Sequence, residues 1–170
     1  HAPYNEVYEQ EGERFDLFGT KNTLLNEFRS NTYDNAMLYN DYVLDELLNI
    51  IKEETESVPT YVFFVSDHSE TFEERIYGHG FLSEGTPKIP FFATTYWTKD
   101  GDLKKELEEL FYPTHYEIGK IIAKKLGYKI TNPNEEEGIF YVNGVNTFGL
   151  AGYLIIKKDP INKRIEFVHK

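Results

Sequence analysis

The sequence predicts an α/β fold carrying a small antiparallel β tail, and three features predict it. Thr60 to Ser66, TYVFFVS, is an unbroken β-branched and aromatic run placed directly after a long helical pattern. Such a run reads as a central strand of a parallel sheet, buried on both faces. A second strand-like run, KIPFFATT at Lys88–Thr95, is followed by two helical stretches, which completes an α/β layer. Three short β-like runs then close the chain, separated by turn residues.

Taken in order, NEVYEQEGERFDLFGTKNTLLNEFRS is polar and weakly periodic, and reads as a surface connection with at most one helical turn. From Asn31-Thr32, either of which can cap a helix, Ala36, Val43, Leu47, Ile50 and Ile51 recur at helical spacing to about Glu56. Val58-Pro59 stops that helix. A loop rich in Glu and Gly follows the first strand, and Pro87 and Pro90 mark the second as an edge strand or one with a bent start. Gly101–Phe111 is a short charged helix. Thr114–Leu126 is a better amphipathic one, with Ile118, Ile121, Ile122 and Leu126 on one face and Gly127 as its stop. After a turn at Asn132-Pro133-Asn134 and Glu135–Glu137, the runs IFYVNG, GYLIIKK and RIEFVH predict an antiparallel meander. Its turns are expected at Asn143-Gly144 and Asp159–Asn162.

Composition excludes several classes. A chain of 170 residues suits one core rather than two domains. With 40% hydrophobic and 16% aromatic residues it is no disordered segment. The net charge of −11, with basic residues scattered along the chain, is the wrong sign for a nucleic-acid footprint. With 0 cysteines there are no disulfides or thiolate ligands, so a metal site must use His, Asp, Glu or a hydroxyl. No apolar run is long enough to cross a bilayer, and no signal peptide is visible. The chain opens on His1-Ala2-Pro3-Tyr4 without an initiator Met, so a processed chain or a piece of a longer one is expected.

The chemistry concentrates in YVFFVSDHSETFEERIYGHGF. Asp67-His68 stands at the carboxyl end of the predicted strand, the edge at which open α/β sheets bind ligands. Where a strand turns into a loop, a carboxylate and an imidazole can converge on one ion, and both are ordinary zinc ligands. Capping of a following helix is the competing role for Asp67. His79 lies between Gly78 and Gly80, which permit close backbone approach or a positive φ, so its ring can be aimed at a ligand; a satisfied loop histidine fits the same residues. Glu70, Glu73, Glu74 and Glu84 read as a solvated acidic face. Ser66 and Ser69 lack a G-x-S-x-G elbow, which weakens a serine-hydrolase reading.

YDNAMLYNDYVLDELLNIIKEE followed by YVFFVSDHSE, GHGF and IPFFATTYW resembles the carboxyl-terminal half of the periplasmic phosphoethanolamine transferases, in the sulfatase-like branch of the alkaline phosphatase superfamily. The resemblance covers roughly residues 1 to 127. It implies an alkaline-phosphatase/sulfatase-like partial sheet with flanking helices: residues 1–131 would be the C-terminal portion of a catalytic domain, and 132–170 a β-rich extension packed on it. It implies that Asp67 and His68 are zinc ligands in the complete protein, although another divalent metal such as Mn or Ca suits a similar oxygen-rich site, and that His79 faces the phosphate of the substrate or a second zinc. His1 of HAPY matches the histidine of a His-Gly-Pro-Tyr segment, with Ala2 in place of Gly, and would join the substrate pocket. His115 lies where relatives carry a polar residue opening the late helix, and a plain helix-start role competes there. Ser69 departs from the usual Ser-Asp-His-Gly. The family's nucleophilic threonine and remaining acidic ligand lie upstream of His1, so the chain alone is expected to be inactive.

The resemblance further implies a phospholipid donor, a lipid A or glycan acceptor, attachment to a bacterial inner membrane through N-terminal helices, and a periplasmic location. Two rivals stand beside the transferase. One is a sulfate or phosphate ester hydrolase of the same superfamily. The other is a non-catalytic binding module, in which the pocket is inherited and the β-rich tail recognises a partner.

Overall fold

A computed structural model describes residues 4–21, 24–73, 76–85, 87–99, 101–146 and 148–169. In chain order the elements are α1 (Asn5–Tyr8), a 3-10 turn (Glu9–Phe15), α2 (Leu25–Glu54), β1 (Thr60–Val65), β2 (Thr71–Glu73), β3 (Ile76–Gly78), β4 (Phe91–Tyr96), α3 (Asp102–Glu109), α4 (His115–Lys125), β5 (Ile139–Val145), β6 (Ala151–Asp159) and β7 (Arg164–His169). The mixed α/β class agrees with the sequence. The chain forms two compact units where one was expected. The first is His1–Tyr61, Phe72–Tyr77 and Thr95–Trp97; the second is Val62–Thr71, Gly78–Thr94 and Thr98–Lys170.

In the first unit the opening residues are no mere surface connection. Tyr4, Tyr8 and Phe15 are buried with Ala36 of α2, and Tyr33, Leu38, Tyr39 and Tyr42 pack around them. Phe15 meets the Tyr39 ring edge-on at 5.0 Å, and Tyr4 meets Tyr33 edge-on at 5.2 Å. Helix α2 therefore begins at Leu25, well before the expected cap. Thr32, instead of capping, is buried inside the helix and bonds back to the Arg29 carbonyl at 3.0 Å. The face chosen by periodicity holds only in part: Ala36 is buried and Ile51 half-buried, whereas Val43, Leu47 and Ile50 are exposed. Aromatic rings from residues 4–15 cover the Thr32, Asn35 and Ala36 face, and coverage decides which side of a helix is core. Asn35 is fully buried; its amide accepts from the Phe18 N–H at 2.9 Å and donates to Phe18 O at 3.0 Å and to Asp16 Oδ1 at 3.1 Å.

Strands β1 and β4 pair as a two-stranded sheet. The Ser66 N–H donates to Pro90 O at 3.3 Å, so the carboxyl end of β1 lies beside the start of β4. That is the sense of an antiparallel pair, not the parallel pairing expected from an unbroken apolar run. Neither strand is fully buried, so both belong to a half-covered ribbon. The run came from close ring packing: Phe64 stacks on Phe92 at 5.3 Å. The hairpin strands β2 and β3, which pair with each other, were not anticipated.

Helix α4 follows its sequence signal closely. Thr114 caps it, with Glu117 reaching back to the Thr114 N–H in a complete capping box. Ile118 and Ile121 are buried, whereas Leu126 is exposed. Strands β5, β6 and β7 form the expected antiparallel meander, in the order β5-β6-β7. Its first turn lies elsewhere than expected: Asn143 and Gly144 pair with Tyr153 and Gly152 inside the ladder. The Asn146 side chain makes the turn instead, accepting from the Phe148 N–H at 2.9 Å and the Leu150 N–H at 3.1 Å. The second turn is where the sequence put it, with Asp159 accepting from the Asn162 N–H at 3.0 Å. Leu154, at the centre of β6, is completely buried.

Candidate functional site

The site lies wholly within the second unit, on the segment that leaves β1. Several bonds hold that segment. Besides the Ser66 N–H bond to Pro90, the Ser66 hydroxyl donates to His68 O at 2.7 Å, and the His68 N–H donates to Asp67 Oδ1 at 3.0 Å. His115, the first residue of α4, reaches across to the Ser66 carbonyl, 2.7 Å from Nε2. A carbonyl can only accept, so His115 Nε2 carries the proton and steadies the strand end from which Asp67 and His68 project.

His68 is oriented in the way metal-binding histidines usually are. Its Nδ1 lies 3.1 Å from Ser69 O, again an acceptor only, so Nδ1 is the N–H nitrogen and Nε2 is the acceptor nitrogen. Nε2 faces Asp67 Oδ2 at 3.6 Å. Two ligand atoms on one tetrahedral zinc, each at about 2.0–2.2 Å from the ion, stand roughly 3.4 Å apart. The pair therefore fits a shared divalent ion. The Asp67 carboxylate is 81% exposed, so it is open to an ion arriving from solvent rather than used as a helix cap.

His79 joins His68 directly. The two rings stack at 4.4 Å with an interplanar angle of 26°. Gly78 and Gly80 have φ of 108° and 85°, the left-handed region that the flanking glycines were expected to supply. Behind the rings stands Glu70, whose Oε1 lies 3.2 Å from His79 Nδ1. Ligand atoms of His68, Glu70 and His79 all lie within 4.8 Å of one another, a geometry able to hold a cation.

Glu70 was read from the sequence as part of a solvated acidic face. Its side chain is only 9% exposed, and its Oε2 is buried with no hydrogen-bond partner among the described residues. A buried carboxylate oxygen left in this condition is costly unless a cation or proton meets it, which again suits a site built for positive charge. The sole sequence signal was its place two residues after His68. Glu84 is exposed as expected, and Glu74 lies outside the described residues, as does His1. Ser69 has an ordinary backbone, so the position that departs from Ser-Asp-His-Gly needs no glycine here. Ser66 and Ser69 hydroxyls both donate to backbone carbonyls. A cleft of about 550 Å³ also occurs in this unit, but its walls are formed by residues such as Glu106, Lys120, Lys124 and Phe140, and none of the site residues lines it.

A histidine and carboxylate cluster able to hold a cation thus follows a strand end on a mixed α/β scaffold. The Sulfatase family model matches residues 1–115, and the chain belongs to the sulfatase family, within the alkaline phosphatase superfamily. Members of that superfamily depend on metal. Among characterised proteins, the chain is 43% identical over 51 residues to phosphoethanolamine transferase EptA of Escherichia coli (strain K12), which is 29% of this chain and 9% of that protein. It is 39% identical over 68 residues to the EptA of Helicobacter pylori, 37% of this chain and 13% of that protein. The EptA of Salmonella typhimurium is 41% identical over 51 residues. The matched stretches thus span about a tenth of these relatives' own length. No solved structure matches the chain. Among the described residues no helix is long and apolar enough to cross a membrane.

Proposed function

We propose that this chain supplies part of a zinc centre for a phosphoethanolamine transferase, with Asp67 and His68 as metal ligands and His79 and His1 facing the phosphoryl group. The observation that carries the reading is the orientation of His68, whose Nδ1 is held by Ser69 O while Nε2 faces Asp67 Oδ2 at 3.6 Å. The similarity to EptA supports the choice of transferred group, and the family membership supports the metal.

Zinc, when bound, supplies Lewis acidity that polarises a phosphoryl oxygen and lowers the pKa of an attacking hydroxyl. The chain's own residues prepare for that chemistry. His115 and Ser66 hold the strand end, so that the Asp67 and His68 donor atoms are set before a ligand arrives. Glu70 accepts from His79 Nδ1, which fixes the ring that would face a phosphoryl oxygen. In this reading residues 1–131 belong to the catalytic domain and 132–170 form an extension on it. The whole protein would take its group from a phospholipid, pass it to lipid A or a glycan, and work on the periplasmic side of a bacterial inner membrane.

Elemental analysis of the whole protein that contains this chain, wild type beside Asp67→Ala and His68→Ala, tests the metal assignment. Near-stoichiometric zinc, lost in both folded variants, is the expected result. Folded wild type without zinc refutes it and favours a binding module. Given a phospholipid donor and lipid acceptor, the whole protein should label the acceptor; release to water without labelling would identify a hydrolase.

A further inference from the structure

The segment that carries His79 is held by the C-terminal sheet. The Val145 N–H, at the end of β5, donates to Gly80 O at 2.8 Å, and the Leu82 N–H donates to Val145 O at 2.8 Å. Phe81 and Val145 form a parallel bridge, so residues 80–82 are laid against β5 as a short additional strand. The contact is close enough to demand glycine. A Cβ on Gly144 would stand 2.6 Å from the Gly80 carbonyl oxygen and 3.0 Å from Leu82 Cδ2. Gly144 has no positive φ, so what its position requires is space for the His79 segment and not an unusual backbone.

The same sheet has a second hold on the site's surroundings. Lys158 of β6 donates to the carbonyls of Leu110 and Tyr112 and to the Glu117 carboxylate, next to the turn that presents His115. Both attachments come from residues beyond 1–115, the stretch matched by the family.

We propose that Gly144 is a positioning residue: through it, β5 sets the place of His79 against Glu70 and His68, and so governs how the site holds a phosphoryl group. The consequence for phosphate rests on the function proposed above, whereas the positioning of His79 does not. The tail is then a brace for the site.

The test is histidine side-chain NMR on the full chain, wild type beside Gly144→Ala and Gly138→Ala, followed by inorganic-phosphate titration of the zinc-loaded whole protein carrying the same substitutions. Gly138 is the control. Its Cβ would press on Lys158 O at 2.7 Å, with φ +71°, at the far end of β5. Gly144→Ala should shift the His79 imidazole resonances and weaken phosphate binding at least fivefold, with zinc content unchanged. Gly138→Ala should leave His79 in place even though it strains the same sheet. Unmoved His79 resonances in folded Gly144→Ala overturn the proposal, as do equal shifts in both variants, which would mean a general loss of stability. If Gly144→Ala does not fold, amide hydrogen exchange of the wild type decides: Leu82 and Val145 protected like Ile155 support the brace, and loop-like exchange overturns it. Absence of phosphate binding in the wild type would sink the proposed function, while the His79 shift still decides the positioning.

Discussion

Replacing Lys158 by Met keeps the aliphatic stem and removes the charge from the most enclosed ion pair among the described residues of the second unit. The Lys158 side chain is 5% exposed and that of Glu117 16%, with Nζ 2.7 Å from Oε2 and 2.9 Å from Oε1. Nζ also donates to Leu110 O at 3.1 Å and Tyr112 O at 3.0 Å, and lies 4.9 Å from the Phe140 ring centroid. Phe111 and Tyr112 have positive φ, so these bonds close a strained turn. Removing one partner of a buried pair costs about 3–5 kcal/mol. Glu117 keeps two donors, the Thr114 N–H at 2.8 Å and the Thr114 hydroxyl at 2.9 Å, which favours the low end. The two carbonyls would each lose a bond worth about 1 kcal/mol, only partly additive with the pair. A loss of about 3 kcal/mol corresponds to a fall of roughly 6–12 °C in Tm for a protein of this size. Thermal melts of wild type, Lys158→Met, Glu117→Gln and the double variant would measure both the loss and the coupling. A loss under about 1 kcal/mol, or no coupling, would refute the reasoning and reduce the pair to a surface contact.

Two further predictions concern the rest of the chain. Asn35→Leu should destabilise the first unit by about 2–4 kcal/mol, because it leaves the Phe18 N–H and carbonyl without their buried partner; urea unfolding would show a lowered midpoint, and an unchanged one would deny Asn35 its role. Acid should also weaken the second unit. The Lys124 bond holds Glu106 below the ordinary carboxylate range, the Lys120 bond does the same for Glu135, and the Asn162 side chain does so for Asp159. Groups with depressed folded pKa values contribute fully above the ordinary value of about 4 and lose that contribution as pH falls through the folded one. Tm should therefore fall on acidification below about pH 4, less steeply in Glu135→Gln. A Tm that rises on acidification would contradict the sign.

The elements follow from local pattern wherever local physics is enough. The apolar spacing of Thr114–Leu126 predicts α4, and the capping box that the structure shows at its start needs only a four-residue stretch. The β-like runs IFYVNG, GYLIIKK and RIEFVH, parted by turn residues, predict the meander, and Gly78 and Gly80 permit the left-handed backbone found on each side of His79. The Asp67-His68 pair was legible for the same reason: a strand end is a local feature, and carboxylate and imidazole are ligands wherever they meet.

What the sequence by itself determined was thus the long helix, β1, β4, the two later helices and the closing meander, together with the residue types able to bind at the end of β1. Tertiary structure alone decided which groups are covered. Tyr4, Tyr8 and Phe15 select the buried face of α2, the enclosed setting of Glu70 turns a seemingly solvated acid into a buried carboxylate with one unpartnered oxygen, and Gly144 meets Gly80 only after β5 has folded back. Periodicity and backbone preference act over a few residues, whereas desolvation depends on whatever distant segment arrives to exclude water.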